Sequence, residues 1–210
     1  LITTQGGGGA NAINVRLGNG TGVFPLGAAY TVGAFPIAVV AGDFNGDAHL
    51  DLAVANNVSF GLTILIGDGT GAFSGPFHVS GASGLNATDL VAADLDGDGD
   101  LDLALALAGY GGVTTFTGDG AGGFVIGGGA GSNVLTECVA AGDLDGDGDV
   151  DIVSGTLYDG NVVVRLNSGA GTFGGGPTLF VGSFLRDVQV VDLDLDGHPD
   201  IVAVNQDGGF

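Results

Sequence analysis

Four copies of one nine-residue acidic string constrain this chain more than any other feature. They are DFNGDAHLD (Asp43–Asp51), DLDGDGDLD (Asp94–Asp102), DLDGDGDVD (Asp143–Asp151) and DLDLDGHPD (Asp192–Asp200), and successive starts lie 51, 49 and 49 residues apart. Self-similarity at such a period belongs to stacked repeats, each a unit that cannot bury its apolar face alone. A glycine motif keeps step with the strings: GNGTGVF (Gly18–Phe24), GDGTGAF (Gly67–Phe73), GDGAGGF (Gly118–Phe124) and NSGAGTF (Asn167–Phe173). From the start of a string to the next motif Phe is always 30 residues, whereas from that Phe to the next string is 19, 21, 19 and 19. Length variation is thus confined to one connection.

Between these landmarks lie short apolar or alternating runs of Val, Ile, Leu, Phe and Thr, bounded by Gly, Asn and Asp, which predict strands. The second repeat predicts four: Leu90–Ala93, Leu101–Leu107, Val113–Thr117 and Phe124–Ile126. The glycine motif makes the turn between third and fourth strands, because Asn-Gly and Asp-Gly pairs favour positive φ; Asp68 and Asp119 are therefore turn formers, not ligands. The predicted fold is all-β: a β-propeller, or a propeller segment, of four-stranded blades with about four repeats. Small first strands such as Val91-Ala92-Ala93 suit the innermost position.

The reading is one domain over 1–210, with blades at 37–86, 87–135 and 136–186. Residues 1–36 form a partial blade, completed by 187–210 of the same or a neighbouring chain. The chain opens with a second-strand remnant (Leu1–Thr4) and third and fourth strands (Ile13–Leu17, Gly27–Thr31). It closes with first and second strands (Val188–Val191, Ile201–Val204). This complementarity predicts self-association, head to tail, into a ring or fibre.

Composition narrows the function. The 45 glycines with 45% hydrophobic residues exclude acidic disorder, and the lack of a three-residue glycine period excludes collagen. A formal charge of −21, with Arg16, Arg165 and Arg186 as the only Lys or Arg, excludes nucleic acid as a partner. The longest apolar run, Leu103–Ala108, is far too short for membrane insertion. With no Met and no basic–apolar leader, the chain reads as a mature or excised product. Cys138, the sole cysteine, excludes an internal disulfide and reads as a small buried side chain.

Each acidic string offers oxygen side chains at positions 1, 3, 5 and 9 and a backbone carbonyl at position 7. Such alternation wraps a hard cation in oxygen ligands, as calcium needs. The predicted ligands are Asp43, Asn45, Asp47 and Asp51; Asp94, Asp96, Asp98 and Asp102; Asp143, Asp145, Asp147 and Asp151; and Asp192, Asp194, Asp196 and Asp200. His49, Asp100, Asp149 and His198 contribute through backbone carbonyls, with their side chains turned away. Up to four Ca²⁺ ions are expected, because four or five carboxylates within nine residues repel one another unless a cation lies among them. Position 12 carries Val54, Leu105, Ser154 and Ala203, where an EF-hand requires Glu, so position 9 closes the loop. The first loop reads as the weakest, since Asn45 replaces an aspartate and Ala48 stands where the others have Gly99, Gly148 and Gly197.

Strings and hairpins together resemble the FG-GAP/VCBS-type repeats of the integrin α-subunit N-terminal β-propeller family, the bacterial-type repeats most closely. The resemblance covers nearly the whole chain. It implies a propeller with calcium between first and second strands and a role in extracellular adhesion or recognition.

Of 23 aspartates, 17 fall in the strings, and the remaining acids and histidines show no nucleophile, zinc or phosphate-loop spacing, so no enzyme is expected. His78 reads as packing or surface. The expected function is a secreted or cell-surface calcium-binding structural or adhesion module. The alternative is a glycan- or protein-recognition propeller, of which the absence of Trp disfavours the glycan form, and a propeller enzyme with a site assembled from distant loops ranks last. Three sequons, at Asn19, Asn57 and Asn86, are candidate glycosylation sites.

Overall fold

The computed structural model describes residues 2–5, 11–59, 61–82, 86–109, 112–130 and 135–206. Seventeen strands are present among them, in five antiparallel sheets. Three sheets have four strands in sequence order: β4 (Pro36–Gly42), β5 (Asp51–Asn56), β6 (Leu62–Gly67) and β7 (Phe73–His78); β8 (Ala87–Ala93), β9 (Asp102–Leu107), β10 (Val113–Gly118) and β11 (Phe124–Ala130); and β12 (Thr136–Gly142), β13 (Asp151–Thr156), β14 (Asn161–Arg165) and β15 (Thr178–Phe180). A three-stranded sheet, β1 (Ile2–Gln5), β2 (Ala12–Val15) and β3 (Ala28–Thr31), precedes them, and a two-stranded sheet, β16 (Leu185–Val191) and β17 (Asp200–Asn205), follows. The result is an all-β, propeller-like segment, and among the described residues its strands close into no continuous ring. Among the described residues no helix is long and apolar enough to cross a membrane. Leu1, Tyr110 and Asp207 lie outside the described residues.

Each sheet is one repeat. The second strands β5, β9 and β13 are buried along their whole length. Their runs Leu52-Ala53-Val54-Ala55 and Leu103-Ala104-Leu105-Ala106 are continuous rather than alternating because both faces meet neighbouring sheets. The first strands lie side by side, β4 against β8, β8 against β12 and β12 against β16. Their small residues allow that approach: a Cβ on Gly42 or Gly142 would come within 2.6 Å of Leu101 or Val190 on the next repeat.

The same β-bulge recurs in all four first strands, at Pro36/Ala38, Ala87/Asp89, Thr136/Cys138 and Leu185/Asp187. A bulge turns the extra residue out of the ladder. Two such residues, Glu137 and Arg186, meet across adjacent repeats as an ion pair at 3.1 Å. A third, Thr88, donates its hydroxyl to the Thr136 carbonyl at 2.9 Å.

Several strand boundaries differ from expectation: β8 begins at Ala87 and β16 at Leu185, each three residues before the expected start, and β2 ends at Val15 rather than Leu17. β11 runs on through Gly127-Gly128-Gly129, since backbone pairing needs no side chain. In the third repeat Phe173 makes only an isolated bridge to Asn167, and β15 begins at Thr178. The intervening Gly174-Gly175-Gly176-Pro177 offers no side chain to pack until a proline that has no N–H to donate.

The ninth residue of each acidic string anchors the sheet. Asp51, Asp102 and Asp151 are 0–1% exposed. One oxygen of each accepts the N–H of string position 2 (Phe44, Leu95 and Leu144; 2.8–2.9 Å). The other accepts the N–H at the end of the third strand or just beyond it (Gly67, Gly118 and Asn167; 2.7–2.8 Å). In chelator, Asp102→Ala strands two buried donors and is expected to cost about 2–5 kcal/mol. Asp98→Ala, on the exposed loop, is expected to stay within about 0.5 kcal/mol. Denaturant melts of the two variants check this, and equal costs would refute the anchoring role.

Candidate metal centres

Each acidic string folds into a tight loop because its aspartates capture the loop's own N–H groups. The position-1 carboxylates of Asp43, Asp94, Asp143 and Asp192 each accept from position 4 through one oxygen (2.7–2.8 Å) and from position 6 through the other (2.8–3.0 Å). Position 3 accepts from position 5, and position 5 from position 7. These interlocking Asx turns need positive φ at positions 4 and 6, which glycine adopts freely. Gly97 and Gly99 stand at φ 78° and 96°, Gly146 and Gly148 at 79° and 95°.

The loops thereby converge on positions 1, 3 and 9. Asp94, Asp96 and Asp102 bring one carboxylate oxygen each within 4.8 Å of one another, as do Asp143, Asp145 and Asp151, and Asp192, Asp194 and Asp200. Oxygens sharing one calcium ion lie no more than about 5 Å apart, twice the bond length, so the all-oxygen donor set fits that ion. Position 5 (Asp47, Asp98, Asp147 and Asp196) stays outside these trios and turns its carboxylate to the position-7 N–H. At position 7, Asp100 lies against Gly120 and the His49 ring against Gly69 of the following turn; His49 Nδ1 is also 3.3 Å from Asp47 Oδ1. Asp149 lies more loosely near Gly169, and the His198 N–H donates to Asp196.

The first loop differs. Asn45 donates from Nδ2 to Asp47 Oδ2 at 3.0 Å and accepts the Asp47 N–H at 3.1 Å, so its amide is committed along the loop. That hydrogen bond, with the His49 N–H, lowers the Asp47 pKa. In the second and third loops the position-3 aspartates are themselves raised. Desolvation, then the neighbouring carboxylates Asp98 and Asp94, raise Asp96; desolvation, then Asp147, raise Asp145. Desolvation also raises Asp102, outweighing its two N–H donors.

Asp68 and Asp119 cap the glycine turns, as expected. Asp68 Oδ1 accepts from the Thr70 hydroxyl (2.7 Å) and N–H (2.8 Å), and Asp119 Oδ1 from the Ala121 and Gly123 N–H groups. These bonds lower both pKa values, the Thr70 hydroxyl foremost for Asp68 and the Ala121 N–H for Asp119. His78 lies in a fourth strand, in contact with the Thr63 hydroxyl at 3.1 Å. Burial pushes the Cys138 thiol up to about 12, which leaves it protonated and inert.

The sequence profile of the FG-GAP-like repeat matches residues 43–105 and 143–203, more than half of the chain. The chain belongs to the FG-GAP-like repeat family. No curated protein sequence matches it. Solved structures similar to this FG-GAP-like chain include an Agrocybe aegerita lectin that recognises non-reducing terminal N-acetylglucosamine (19% identity, TM-score 0.58, covering 92% of this chain and 55% of that one). The Vibrio cholerae biofilm matrix protein Bap1 is similar at 22% identity and TM-score 0.51, over 97% and 30% of the two chains. A Bacillus licheniformis rhamnogalacturonan lyase is similar at 19% and 0.52, over 94% and 45%. At these identities the likeness is one of fold, and the chain spans about half or less of each structure's length.

Sequence reasoning singled out Ala48 at position 6 and overlooked Leu195 at position 4, where the other loops have glycine. Both adopt positive φ, 65° and 62°. Ala48→Gly and Leu195→Gly are each expected to stabilise the protein by about 1 kcal/mol. Melting curves that show loss in both would refute the strain.

Apart from the loops, Asp89 is half-buried on β8, where its carboxylate accepts the Val139 N–H of β12 at 3.0 Å. Desolvation raises its pKa, and Asp187 and Glu137 add to the shift. A raised carboxyl contributes stability that is full below its ordinary value and is lost as pH rises through the folded value. The stability of Asp89→Asn relative to the parent, in chelator, should therefore improve between about pH 3 and pH 7. A constant difference would reject the burial penalty.

Proposed function

We propose that the chain is a calcium-binding structural or adhesion module that works outside the cell, with calcium as a folding component rather than a catalytic one. The observation that carries this is the convergence of three carboxylates in each of three loops, in a chain whose Arg and Lys number only three. Position 1 is already held by backbone N–H groups at distances near 3 Å, so little ordering remains for the ion to impose. The repulsion among positions 1, 3 and 9 is what a divalent ion would cancel. Four ions would bring the formal charge from −21 to −13.

What supports an extracellular setting is the class of site: extracellular calcium modules work at roughly 10⁻⁴–10⁻³ M, a concentration that cytosol does not supply. The nonenzymatic reading rests on where the acids go, since most are consumed by loops and turns.

Calcium at 100 times its dissociation constant should add about 2.7 kcal/mol per site. The expected result is a melting midpoint that climbs with calcium and falls in chelator, with calorimetry resolving sites that Asp96→Ala and Asp145→Ala remove one at a time. An unchanged midpoint and no heat of binding would sink the reading.

A further inference from the structure

We propose that Asn167 couples the second and third acidic loops, so that a cation held by one strengthens the hold of the other; the inference rests on the calcium reading above. Both loops belong to complete four-stranded sheets, and the amide that joins them is buried where those sheets meet.

Asn167 opens the glycine motif that follows β14 and is 3% exposed. Its backbone N–H donates to Oδ1 of Asp151, the position-9 carboxylate of the third loop, at 2.8 Å. Its side-chain Nδ2 donates to the carbonyl of Val150, at position 8 of the same loop, at 3.0 Å. The same Nδ2 donates to the carbonyl of Leu95, at position 2 of the second loop, at 2.7 Å. Leu95 stands between Asp94 and Asp96, and its own N–H donates to Asp102 Oδ2 at 2.8 Å. One residue therefore touches both loops, and every contact falls on a carboxylate of a metal-binding trio or on a peptide group beside one.

The orientation of the amide is dictated by its neighbours. Two carbonyls face it, and only the nitrogen of a carboxamide can donate to them, so Nδ2 points into the joint and Oδ1 away from it. Oδ1 is buried and has no hydrogen-bond partner among the described residues. An acceptor left in that state is destabilising, because it has given up water without replacement. Room for the side chain is a second cost. In the two preceding complete repeats the residue is Gly67 or Gly118, and a Cβ there would come within 2.2 or 2.4 Å of the position-8 carbonyl. Those sheets close with glycine in the same place, so closure does not require the asparagine. What its side chain adds is the link to the neighbouring loop.

The joint before it is built differently. Between the first and second loops the corresponding bond runs from the Gly122 N–H to the Phe44 carbonyl at 2.8 Å. Gly122 lies in the glycine turn, not beside the anchoring carboxylate Asp102, and Gly118 has no side chain to span the two loops.

The consequence for binding follows from the shared residue. With Asp94, Asp96 and Asp102 held on a cation, both peptide groups of Leu95 lose freedom. The Leu95 carbonyl then holds the Asn167 amide, and Asn167 holds Val150 and Asp151. The third loop would receive its ion with the position-9 carboxylate already ordered, and ordering done once is not required again. By linkage the effect is reciprocal, and couplings of this kind change affinity by about five- to 150-fold.

Calcium calorimetry on the full chain tests this, with Asp96→Ala to empty the second loop and Asp145→Ala to identify the heat of the third. In the parent, Asp96→Ala is expected to remove one site and to weaken the third loop about fivefold or more. In an Asn167→Gly background, Asp96→Ala is expected to remove its site and leave the third loop unchanged. Emptying the first loop with Asp43→Ala is expected to leave the third loop unchanged in both backgrounds. A merely structural Asn167 would move the melting midpoint in chelator without altering how one loop responds to the other. A second measurement keeps Asn167 in place: in Asp145→Ala, calcium is expected to slow hydrogen exchange at the Asn167 N–H about fivefold or more, acting through the second loop. No heat of binding in the parent defeats the calcium reading itself. Heat in the parent with a third loop indifferent to Asp96→Ala, the same weakening with and without the Asn167 side chain, or no slowing at the Asn167 N–H overturns the coupling.

Discussion

The structure depends on a buried carboxylate that belongs to two turns at once. Asp51, Asp102 and Asp151 each join the start of their loop to the end of the third strand, so first, second and third strands are positioned by one side chain. Burying an ionised group is costly, and the raised pKa of Asp102 records that cost. Two N–H donors per carboxylate offset much of it, and a cation among positions 1, 3 and 9 would offset more. Fold and candidate site are therefore the same object: the residue that closes the acidic loop also closes the sheet.

Neighbouring repeats are joined by a different device, the residue after the first aspartate. Phe44 and Leu95 leave their own loops and enter the next repeat beside Phe124 and Phe173. Beside each knob a polar link repeats the connection: the Gly122 N–H on the Phe44 carbonyl, and Asn167 Nδ2 on the Leu95 carbonyl at 2.7 Å. Asn167 stands where the other motifs have glycine, and its amide also reaches the Val150 carbonyl. It thus bonds to the position-8 group that a Cβ on Gly67 or Gly118 would strike.

Much of this was legible in the sequence because repetition converts weak local signals into a period. The strings located the loops, the glycine motifs located the hairpins, and Asp68 and Asp119 were separable from ligands by their Asn/Asp-Gly context. What was not legible depends on contacts between repeats. Nothing local marks the bulges at Thr88, Glu137 and Arg186, whose partners lie one repeat away. The late start of β15 could have been read from Gly174-Gly175-Gly176-Pro177, had the absence of side chains been weighed above the regular spacing. Leu195 was visible too, as the one position-4 residue that is not glycine. The anchoring role of position 9 is not legible, because its two N–H partners lie 7 and 16 residues away and no periodicity links them.

The composition has a physical reason in this geometry. There are 23 aspartates and a single glutamate, Glu137, which lies outside the loops. An aspartate carboxylate reaches the N–H two residues on and closes an Asx turn, whereas the extra methylene of glutamate carries its oxygens past that donor. Each loop strings several such turns through consecutive alternate residues, so one substitution by glutamate would undo a turn as well as displace a carboxylate. The absence of lysine follows the same logic. A flexible ammonium group near these loops could neutralise the carboxylates itself and so compete with the ion. Arg186, held by Glu137 and the Gln206 side chain, is kept well away from that role. If the loops take up cations as proposed, the chain has reason to carry few of its own.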